Sequence, residues 1–194
     1  MTEPNLIVIE QPQPTRADAL KNRALILETA SRLFAEKTVA EVTMSDIAEA
    51  AEIGKGTLYR HFENKVALCH ALLDEDQRAL QERALEYLRT HDDALSNLGW
   101  FLMEVAHFVS RNSELLCVGT NHGTILDHPA HWWWRQTIRG LLGQINPAGD
   151  LDYMSDMLYL MLDVRTIHFQ QERQGYSIER ISDGLLNTLQ QLTR

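Results

Sequence analysis

The sequence has little cysteine and no long run of apolar residues. Cys69 and Cys117 are the only cysteines among 194 residues, too few for the disulfide framework of a small secreted domain or, by themselves, for a four-ligand structural zinc site. No stretch approaches the roughly 18 uncharged apolar residues that a membrane-spanning helix needs. The apolar run at residues 6–9 is shorter than the hydrophobic region of a signal peptide and lacks a preceding basic segment. We therefore expect a cytoplasmic protein with no membrane partner.

Basic residues are also scarce, with 18 Lys and Arg against 27 Asp and Glu, which gives a formal net charge of -9. An apolar content of 44% and a charged content of 23% are ordinary for a globular protein and too apolar for a disordered chain. Three of the five prolines lie within residues 1–14, which show no helical period. We expect residues 1–14 to form a flexible arm and the ordered chain to begin at residue 15.

Strand signals are missing as well, because the sequence contains neither an alternating apolar and polar pattern nor an Asn-Gly hairpin turn. Apolar residues instead recur at steps of three or four, as on one face of an α-helix. In the first helix this period gives an inner face of Leu20, Ala24, Leu27, Ser31 and Phe34, widened by Ile26, Ala30 and Leu33. The sequence predicts an all-α fold, with its longer helices at residues 15–36, 64–89, 93–111, 113–122, 129–145, 151–174 and 177–193.

Two short helices are predicted between residues 43 and 62. Thr43 and Asp46 have the spacing of a capping box, which starts the first of them. The second follows a turn near residue 53, and its residues Leu58 and Phe62 can pack inward. Two short helices joined by a tight turn and preceded by a longer helix form a helix-turn-helix candidate. Side chains that can bind DNA bases or phosphates project from the second helix at Lys55, Thr57, Tyr59 and Arg60.

This segment resembles the DNA-binding motif of the TetR family of one-component transcriptional regulators. The matching residues are Thr-Met-Ser-Asp-Ile-Ala-Glu-Ala-Ala at 43–51 and Lys-Gly-Thr-Leu-Tyr-Arg-His-Phe-Glu-Asn-Lys at 55–65. The resemblance implies that Thr43 contacts a phosphate at the start of its helix, and that Arg60, a variable position, is a candidate for reading base sequence. It further implies that base edges or the DNA backbone meet Lys55, Gly56 and Thr57, and that phosphates are anchored by Tyr59, His61 and Lys65.

The turn of the motif departs from the family pattern at two positions. Glu52 stands where the family usually has glycine, and Gly54 stands where it usually has serine or another small polar residue. If the turn needs a left-handed backbone, a residue other than glycine costs of order 1 kcal/mol there. The carboxylate of Glu52 would also lie near DNA phosphates. Gly54 offers no side chain to cap the second helix, although glycine is a tolerable N-cap.

The resemblance assigns residues 15–62 to a DNA-binding three-helix bundle and residues 63–194 to a larger helical domain that binds a ligand and forms a homodimer. The family usually dimerises through its last two helices, which correspond here to residues 151–174 and 177–193. Two recognition helices about one DNA turn apart can then read two half-sites. Alternatively, the apolar residues of the final helix belong to the core of a monomer. These residues are Ile178, Ile181, Leu185, Leu186, Leu189 and Leu192.

Candidate ligand-binding residues come from helices that are apolar on more than one side. The helix at 93–111 has a core stripe of Leu98, Phe101, Leu102, Val105, Phe108 and Val109, and a second line that a one-faced helix would leave in water. Aromatic rings and thioethers suit an adaptable apolar pocket. Charged or imidazole groups among apolar residues, including Asp163 and Arg165, can orient the polar end of a ligand. The candidates selected for the pocket are Trp100, Met103, Glu104, His107, Trp133, Met157, Met161 and His168.

No metal, cofactor or catalytic site is predicted. Coordination needs three or four convergent ligands, and the set His107, His122, Asp127, His128 and His131 includes a candidate chelating pair at 128 and 131. Glu104 and His107 match one Glu-x-x-His motif of di-iron bundles, which require a second copy that is missing. The sequence also contains no nucleotide-binding loop, Gly-x-Ser-x-Gly elbow or His-Glu-x-x-His motif. We therefore expect no enzymatic activity.

The main hypothesis from the sequence is a DNA-binding transcriptional regulator, and more specifically a repressor that a small, largely apolar effector releases from a palindromic operator. A helical small-molecule-binding or scaffold protein with a vestigial helix-turn-helix is the alternative, and Glu52 and the acidic balance of the chain favour it. A helical enzyme whose catalytic residues leave no sequence motif is a third reading.

Overall fold

The computed structural model describes residues 16–118 and 129–194, and every regular element in these two ranges is an α-helix. The all-α prediction is therefore confirmed. The chain divides into two compact units at the boundary between Glu63 and Asn64. The first unit contains α1 (Arg16–Glu36), α2 (Met44–Ala50) and α3 (Lys55–His61). The second unit contains α4 (Lys65–Thr90), α5 (Ala94–Arg111), α6 (Ser113–Cys117), α7 (Pro129–Ile145), α8 (Leu151–Leu160), α9 (Val164–Glu172) and α10 (Ile178–Leu192).

The first unit is a three-helix bundle with a small apolar core. Ile26 from α1, Ile47 from α2 and Leu58 from α3 are fully buried, and burial of each such side chain contributes about 1.5–3 kcal/mol. The predicted capping box begins α2, because the Asp46 N–H donates to Thr43 Oγ1 at 3.2 Å and the Thr43 N–H donates to Asp46 Oδ2 at 2.8 Å. This reciprocal pair satisfies two backbone donors at the helix start.

The predicted inner face of α1 is confirmed in part, because four of its residues are buried: Ile26, Leu27, Ala30 and Leu33. Leu20 is 63% exposed, and Ala24 and Ser31 are also exposed. The buried residues of α1 are Ile26, Leu27, Thr29, Ala30 and Leu33. Two adjacent apolar stripes run along this helix, and helical periodicity alone does not rank them, whereas packing against the rest of the bundle buries only one. The predicted arm at 1–14 and residue 15, where the ordered chain is predicted to begin, lie outside the described residues.

Helix α5 is the centre of the second unit. Its predicted core stripe is confirmed, since Leu98, Phe101, Leu102, Val105, Phe108 and Val109 are all buried. Helices α7 and α10 pack against α5 most extensively, and α4 and α9 also contact it. On α10, Ile181, Leu185 and Leu189 are buried in this core. The apolar face of the final helix is therefore largely used within the chain itself.

The segment predicted as one helix at 151–174 is two helices, α8 and α9, separated at residues 161–163. Asp163 is the N-cap of α9, and its Oδ1 accepts a hydrogen bond from the Arg165 N–H at 2.9 Å. Aspartate favours helix starts because its side chain competes for backbone N–H groups. The apolar period continues across the break, so periodicity missed it. The predicted helix at 113–122 ends at Cys117, and residues 119–122 lie outside the described chain.

Candidate nucleic-acid interface

Helix α3 turns one side into the first unit and the other side to solvent. Leu58 and Phe62 are buried as predicted, and Arg23 of α1 lies over the Phe62 ring with its guanidinium carbon 5.0 Å from the ring centroid. Tyr59 is 50% exposed, which is high for a tyrosine. The remaining predicted DNA-binding residues of α3 are exposed at Lys55, Gly56 and Arg60 and half-buried at Thr57 and His61.

Two side chains of the exposed face of α3 are joined by a hydrogen bond. Arg60 Nη2 donates to Thr57 Oγ1 at 3.0 Å, which is an i, i+3 contact along the helix. The bond orients the guanidinium along α3 and leaves its other N–H donors for further partners, since arginine has five. Thr57 and Arg60 therefore present one connected group of donors and acceptors.

Gly56 has no structural requirement within the described chain. A Cβ atom built on Gly56 meets nothing within 4 Å, and glycine within a helix is about 1 kcal/mol less favourable than alanine. The position thus carries a conformational cost that no neighbouring side chain explains. Gly140 and Gly184 share this open space, which marks Gly56 as accessible without indicating what approaches it.

The turn between α2 and α3 is a Schellman motif with glutamate at the position that glycine usually occupies. The Ile53 N–H donates to the Ala48 carbonyl at 3.0 Å, and the Glu52 N–H donates to the Glu49 carbonyl at 3.0 Å. Glu52 has φ 54°, so the left-handed backbone considered from the sequence is present. Gly54 follows as the N-cap of α3 without a side-chain hydrogen bond.

The other two predicted phosphate contacts lie at helix starts. Thr43 is exposed at the N-cap of α2. Lys65 is the first residue of α4, directly after the N-cap Asn64, whose Oδ1 accepts a hydrogen bond from the Ala67 N–H at 2.9 Å. Backbone N–H groups and positive helix-dipole ends favour anions at such positions.

In the second unit, two of the predicted ligand-binding residues share a groove. Trp100 and Met103 of α5 line a groove of about 370 Å³ with residues of α4 and α10. Tyr87 of α4, which the sequence analysis did not select, stacks on Trp100 with ring centroids 3.9 Å apart. Its signal is weak, because a single tyrosine near the end of a long helix resembles any surface aromatic.

The other predicted ligand-binding residues are dispersed. Glu104 forms an ion pair with Arg83 at 3.1 Å, and Trp133 meets Phe101 edge-to-face with ring centroids 5.4 Å apart. Met161 packs on the core, His107 is half-buried, and Met157 and His168 are exposed. Asp163, considered for a similar role, is the cap of α9 and pairs with Arg165. The structure thus brings together Trp100 and Met103 but not the full predicted set.

Sequence reasoning also missed a hydrogen bond between α7 and α8. The Tyr159 hydroxyl lies 2.6 Å from His131 Nδ1, and these residues are 28 positions apart in the chain. Burial, with a contribution from the negative charge of Asp163, raises the pKa of Tyr159 to about 12, so the phenol stays protonated at neutral pH. Sequence spacing carries no signal for such a long-range pair.

The described ranges contain neither a cluster of metal-ligating side chains nor a helix that could span a membrane. No group of three His, Cys, Asp or Glu side chains there is arranged to hold a metal ion, and the sequence candidates His122, Asp127 and His128 lie outside those ranges. None of the described helices is both long enough and apolar enough to span a bilayer.

Burial raises the pKa of Cys69 to about 11, which keeps this thiol protonated and unreactive at neutral pH.

Comparison with known proteins identifies the family. A model of the bacterial regulatory proteins of the tetR family matches residues 26–72, which contain α2 and α3. The HTH-type transcriptional regulator SAUSA300_2515 of Staphylococcus aureus is 32% identical over 181 residues, which cover 89% of this chain and 94% of that protein. The chain belongs to the TetR family. It is therefore a DNA-binding transcriptional regulator, and the relatives it matches are named as regulators.

Solved structures of TetR-family proteins share the fold of this regulator. A TetR-family regulator from Pectobacterium atrosepticum is 18% identical with a TM-score of 0.69, and the match covers 92% of this chain and 95% of that one. FadR of Thermus thermophilus, a TetR-family repressor solved in complex with lauroyl-CoA, is 18% identical with a TM-score of 0.63, covering 87% and 93% of the two chains. At these identities the likeness shows the fold alone.

Proposed function

We propose that this TetR-family regulator is a repressor that binds a palindromic operator and is released from it by a small, largely apolar effector. In this proposal residues 15–62 bind DNA, and residues 63–194 bind the effector and form the dimer. The observation that carries the DNA-binding part is the outer side of α3, where Lys55, Tyr59 and Arg60 are exposed within the segment that the family model matches.

The proposed DNA contacts divide into positioning and reading groups. Phosphate contacts from Thr43, Tyr59, His61 and Lys65 set the register on the duplex and carry no base information. The start of the recognition helix, at Lys55, Gly56 and Thr57, meets base edges or backbone in the major groove. Arg60, oriented by its hydrogen bond to Thr57, is the candidate for reading a guanine through its fork of donors.

The proposed homodimer uses the segment 151–174 together with the final helix. Four apolar side chains on α8 and α9 are exposed, at Tyr153, Met157, Leu160 and Phe169. Tyr153, Met157 and Leu160 follow one another at helical spacing, so they form one stripe along α8. The apolar residues of α10 contribute less to such a surface because they pack on α5. A second copy of this chain, related by a two-fold axis, is the occupant that the operator symmetry requires.

The proposed release is a shift between two conformers. An effector that binds better to the conformer with the wrong separation of recognition helices lowers operator affinity by its differential binding. The complex of Thermus thermophilus FadR with lauroyl-CoA supports the proposal that this chain also binds an effector. In this chain, two predicted ligand-binding residues, Trp100 and Met103, line the groove described above.

Fluorescence anisotropy tests the DNA-binding proposal directly. Purified protein is titrated onto labelled DNA from the regions that flank its gene, over a salt series, with unrelated DNA as competitor. We expect specific binding of at least two protomers per site, and affinity that falls linearly with the logarithm of salt concentration as counterions are released. If neither these regions nor a random-site selection yields a saturable complex, the scaffold with a vestigial motif is the better reading.

A further inference from the structure

The groove at α4, α5 and α10 is lined entirely by uncharged residues. Tyr87 comes from α4; Leu95, Ser96, Gly99, Trp100 and Met103 come from α5; and Leu186, Leu189 and Gln190 come from α10. A volume of about 370 Å³ lies in the usual range for small-molecule sites. A charged ligand would lose hydration there without gaining a counter-charge from the lining.

Gly99 forms the deep part of the groove. A Cβ atom at this position would lie 2.9 Å from Leu186 Cδ2, which is closer than van der Waals contact allows. The absence of a side chain at Gly99 therefore lets Leu186 of α10 approach α5 at the groove. Any side chain added at Gly99 must displace Leu186. Because Leu186 also lines the groove, such a side chain would change the shape of the groove.

Three aromatic rings stack beside the groove, and the last ring of the stack, Trp100, lines it. Tyr87 lies 3.9 Å from His91, with 8° between their planes, and 3.9 Å from Trp100, with 4° between their planes. Two rings cannot stack on the same face at that spacing, so His91 and Trp100 cover opposite faces of Tyr87. His91 is held in turn by contacts of Nδ1 with the Tyr87 carbonyl at 2.9 Å and with Thr90 Oγ1 at 3.0 Å.

The column makes Trp100 a pre-positioned aromatic surface. One face of its indole is covered by Tyr87, so the opposite face is the stacking surface that Trp100 can offer to the groove. Because the ring is already fixed, a ligand that stacks on it does not lose the entropy of ordering that side chain. The polar groups that line the groove besides the Tyr87 phenol, at Ser96 and Gln190, can hydrogen-bond polar edges of a ligand.

We propose that this groove binds uncharged, planar aromatic molecules, which extend the ring column by stacking on Trp100. This inference rests on the proposed function, because such molecules would be the effectors that release the regulator from its operator. It goes further by selecting planar aromatic compounds from the broader class of apolar ones. Aliphatic and charged molecules of similar size are discriminated against.

Calorimetric titration of the full-length protein with three probes tests this selectivity. The probes are 2-naphthamide, which is uncharged and planar, 2-naphthoate, which has the same rings and a negative charge, and 1-decanol, which is uncharged and aliphatic. We expect saturable binding of one naphthamide per chain, about tenfold tighter than binding of either other probe. Equal affinity for naphthoate or decanol, or no saturable naphthamide binding, would overturn the proposal.

Matched variants locate the site. Trp100→Leu keeps apolar bulk but removes the stacking surface, and Gly99→Ala fills the groove without removing an aromatic ring. Both should weaken naphthamide binding about tenfold. Trp132→Leu is the control, because Trp132 is 65% exposed on α7 and does not line the groove. An equal loss in Trp132→Leu would overturn the assignment.

Circular dichroism reports whether each variant is folded. If Trp100→Leu fails to fold, Gly99→Ala decides, because its methyl group comes too close only to the flexible end of the Leu186 side chain. Operator binding by the wild-type protein is measured separately without probe. Naphthamide binding without operator binding would overturn the proposed function and keep the groove, whereas operator binding without naphthamide binding would overturn the groove alone.

Discussion

The two candidate sites of this regulator are built in opposite ways. The proposed DNA-binding surface takes most of its residues from α3, so its side chains are neighbours in the sequence as well as in space. The groove takes residues from α4, α5 and α10, and Tyr87 and Gln190 on its rim are about a hundred positions apart. A local surface depends on one helix and its caps, whereas the groove exists only when three helices pack around a shared core.

This difference predicts how each site responds to mutation. A change on the exposed face of α3 should alter DNA affinity with little effect on folding, because few intramolecular contacts depend on it. A change in the core around α5 should reduce stability first, and the groove should be lost with it. The comparison would fail if both regions responded alike, and the following predictions test it from the largest expected effect to the smallest.

Replacing a buried leucine of α5 by alanine should have the largest effect on the free energy of unfolding. Leu102→Ala is expected to lower the free energy of unfolding by about 2–5 kcal/mol, because Leu102 is fully buried and its deletion leaves a cavity. Leu85→Ala on α4 is the matched control, since Leu85 is 61% exposed, and should change stability by less than about 0.5 kcal/mol. Urea titration followed by circular dichroism measures both. Similar losses in the two variants would contradict the described burial.

Gly56→Ala should separate stability from DNA binding. The substitution is expected to stabilise the protein by up to about 1 kcal/mol, because alanine favours the helix and its methyl group meets open space. Operator affinity should fall about tenfold, the equivalent of one charge-assisted hydrogen bond, because the methyl group blocks close approach to DNA.

The control for Gly56→Ala is Gly140→Ala on α7, where a Cβ also meets nothing within 4 Å. This variant should gain similar stability and keep its operator affinity. Thermal unfolding and anisotropy are measured on both proteins. Undiminished operator binding by Gly56→Ala would show that DNA does not approach Gly56 closely.

Glu52 tests the turn that joins the two short helices. Glu52→Gly should raise stability by about 1 kcal/mol, because glycine adopts the left-handed conformation at φ 54° without the clash of a Cβ. Glu52→Ala keeps that clash but removes the carboxylate. Operator affinity should rise in both variants if the charge lies near DNA phosphates, while unfolding experiments should show a gain only for glycine.

Lys65→Ala should weaken binding to every DNA sequence by the same factor. A phosphate contact carries no base information, and its loss should reduce the slope of log affinity against log salt by about 1. Tyr59→Ala should likewise weaken all sequences equally. Anisotropy on the operator and on unrelated DNA measures these changes. A loss confined to one operator variant would show that the altered residue reads bases.

The capping box of α2 should give a small pH effect. Hydrogen bonds from the Thr43 backbone and hydroxyl lower the pKa of Asp46 below its ordinary value. A carboxyl whose pKa is lower in the folded protein stabilises it above the unfolded pKa, and this contribution is lost as pH falls through the folded pKa. Asp46→Asn should therefore reduce the loss of thermal stability below about pH 4, whereas Glu49→Gln, an exposed carboxylate of the same helix, should not.

Several features of the fold were predictable because their causes are local. Thr43 caps its helix as the sequence indicates, since an N-cap needs only a short polar side chain two or three residues before the N–H from which it accepts a hydrogen bond. The core stripe of α5 was also correct, because one strongly apolar stripe leaves a single way to bury the helix. The left-handed backbone at Glu52 follows from a glycine position in the family motif.

Other features were missed because their causes are not local. The face of α1 depends on which of two apolar stripes the neighbouring helices cover, and the break at Asp163 lies inside a continuous apolar period. The ligand pocket stays a prediction, and two of its eight proposed residues, Trp100 and Met103, line the groove, because apolar periodicity marks a buried residue without naming the residues it packs against.

The sequence by itself determined the helical fold class, the helix-turn-helix and the polar residues on its outer face, because periodicity, caps and motif spacing act within a few residues of the chain. Only the tertiary structure decided that His91, Tyr87 and Trp100 form a stacked column and that α10 approaches α5 closely at Gly99. The physical reason is that ring stacking and helix approach depend on contacts between distant segments, which close packing of the core selects.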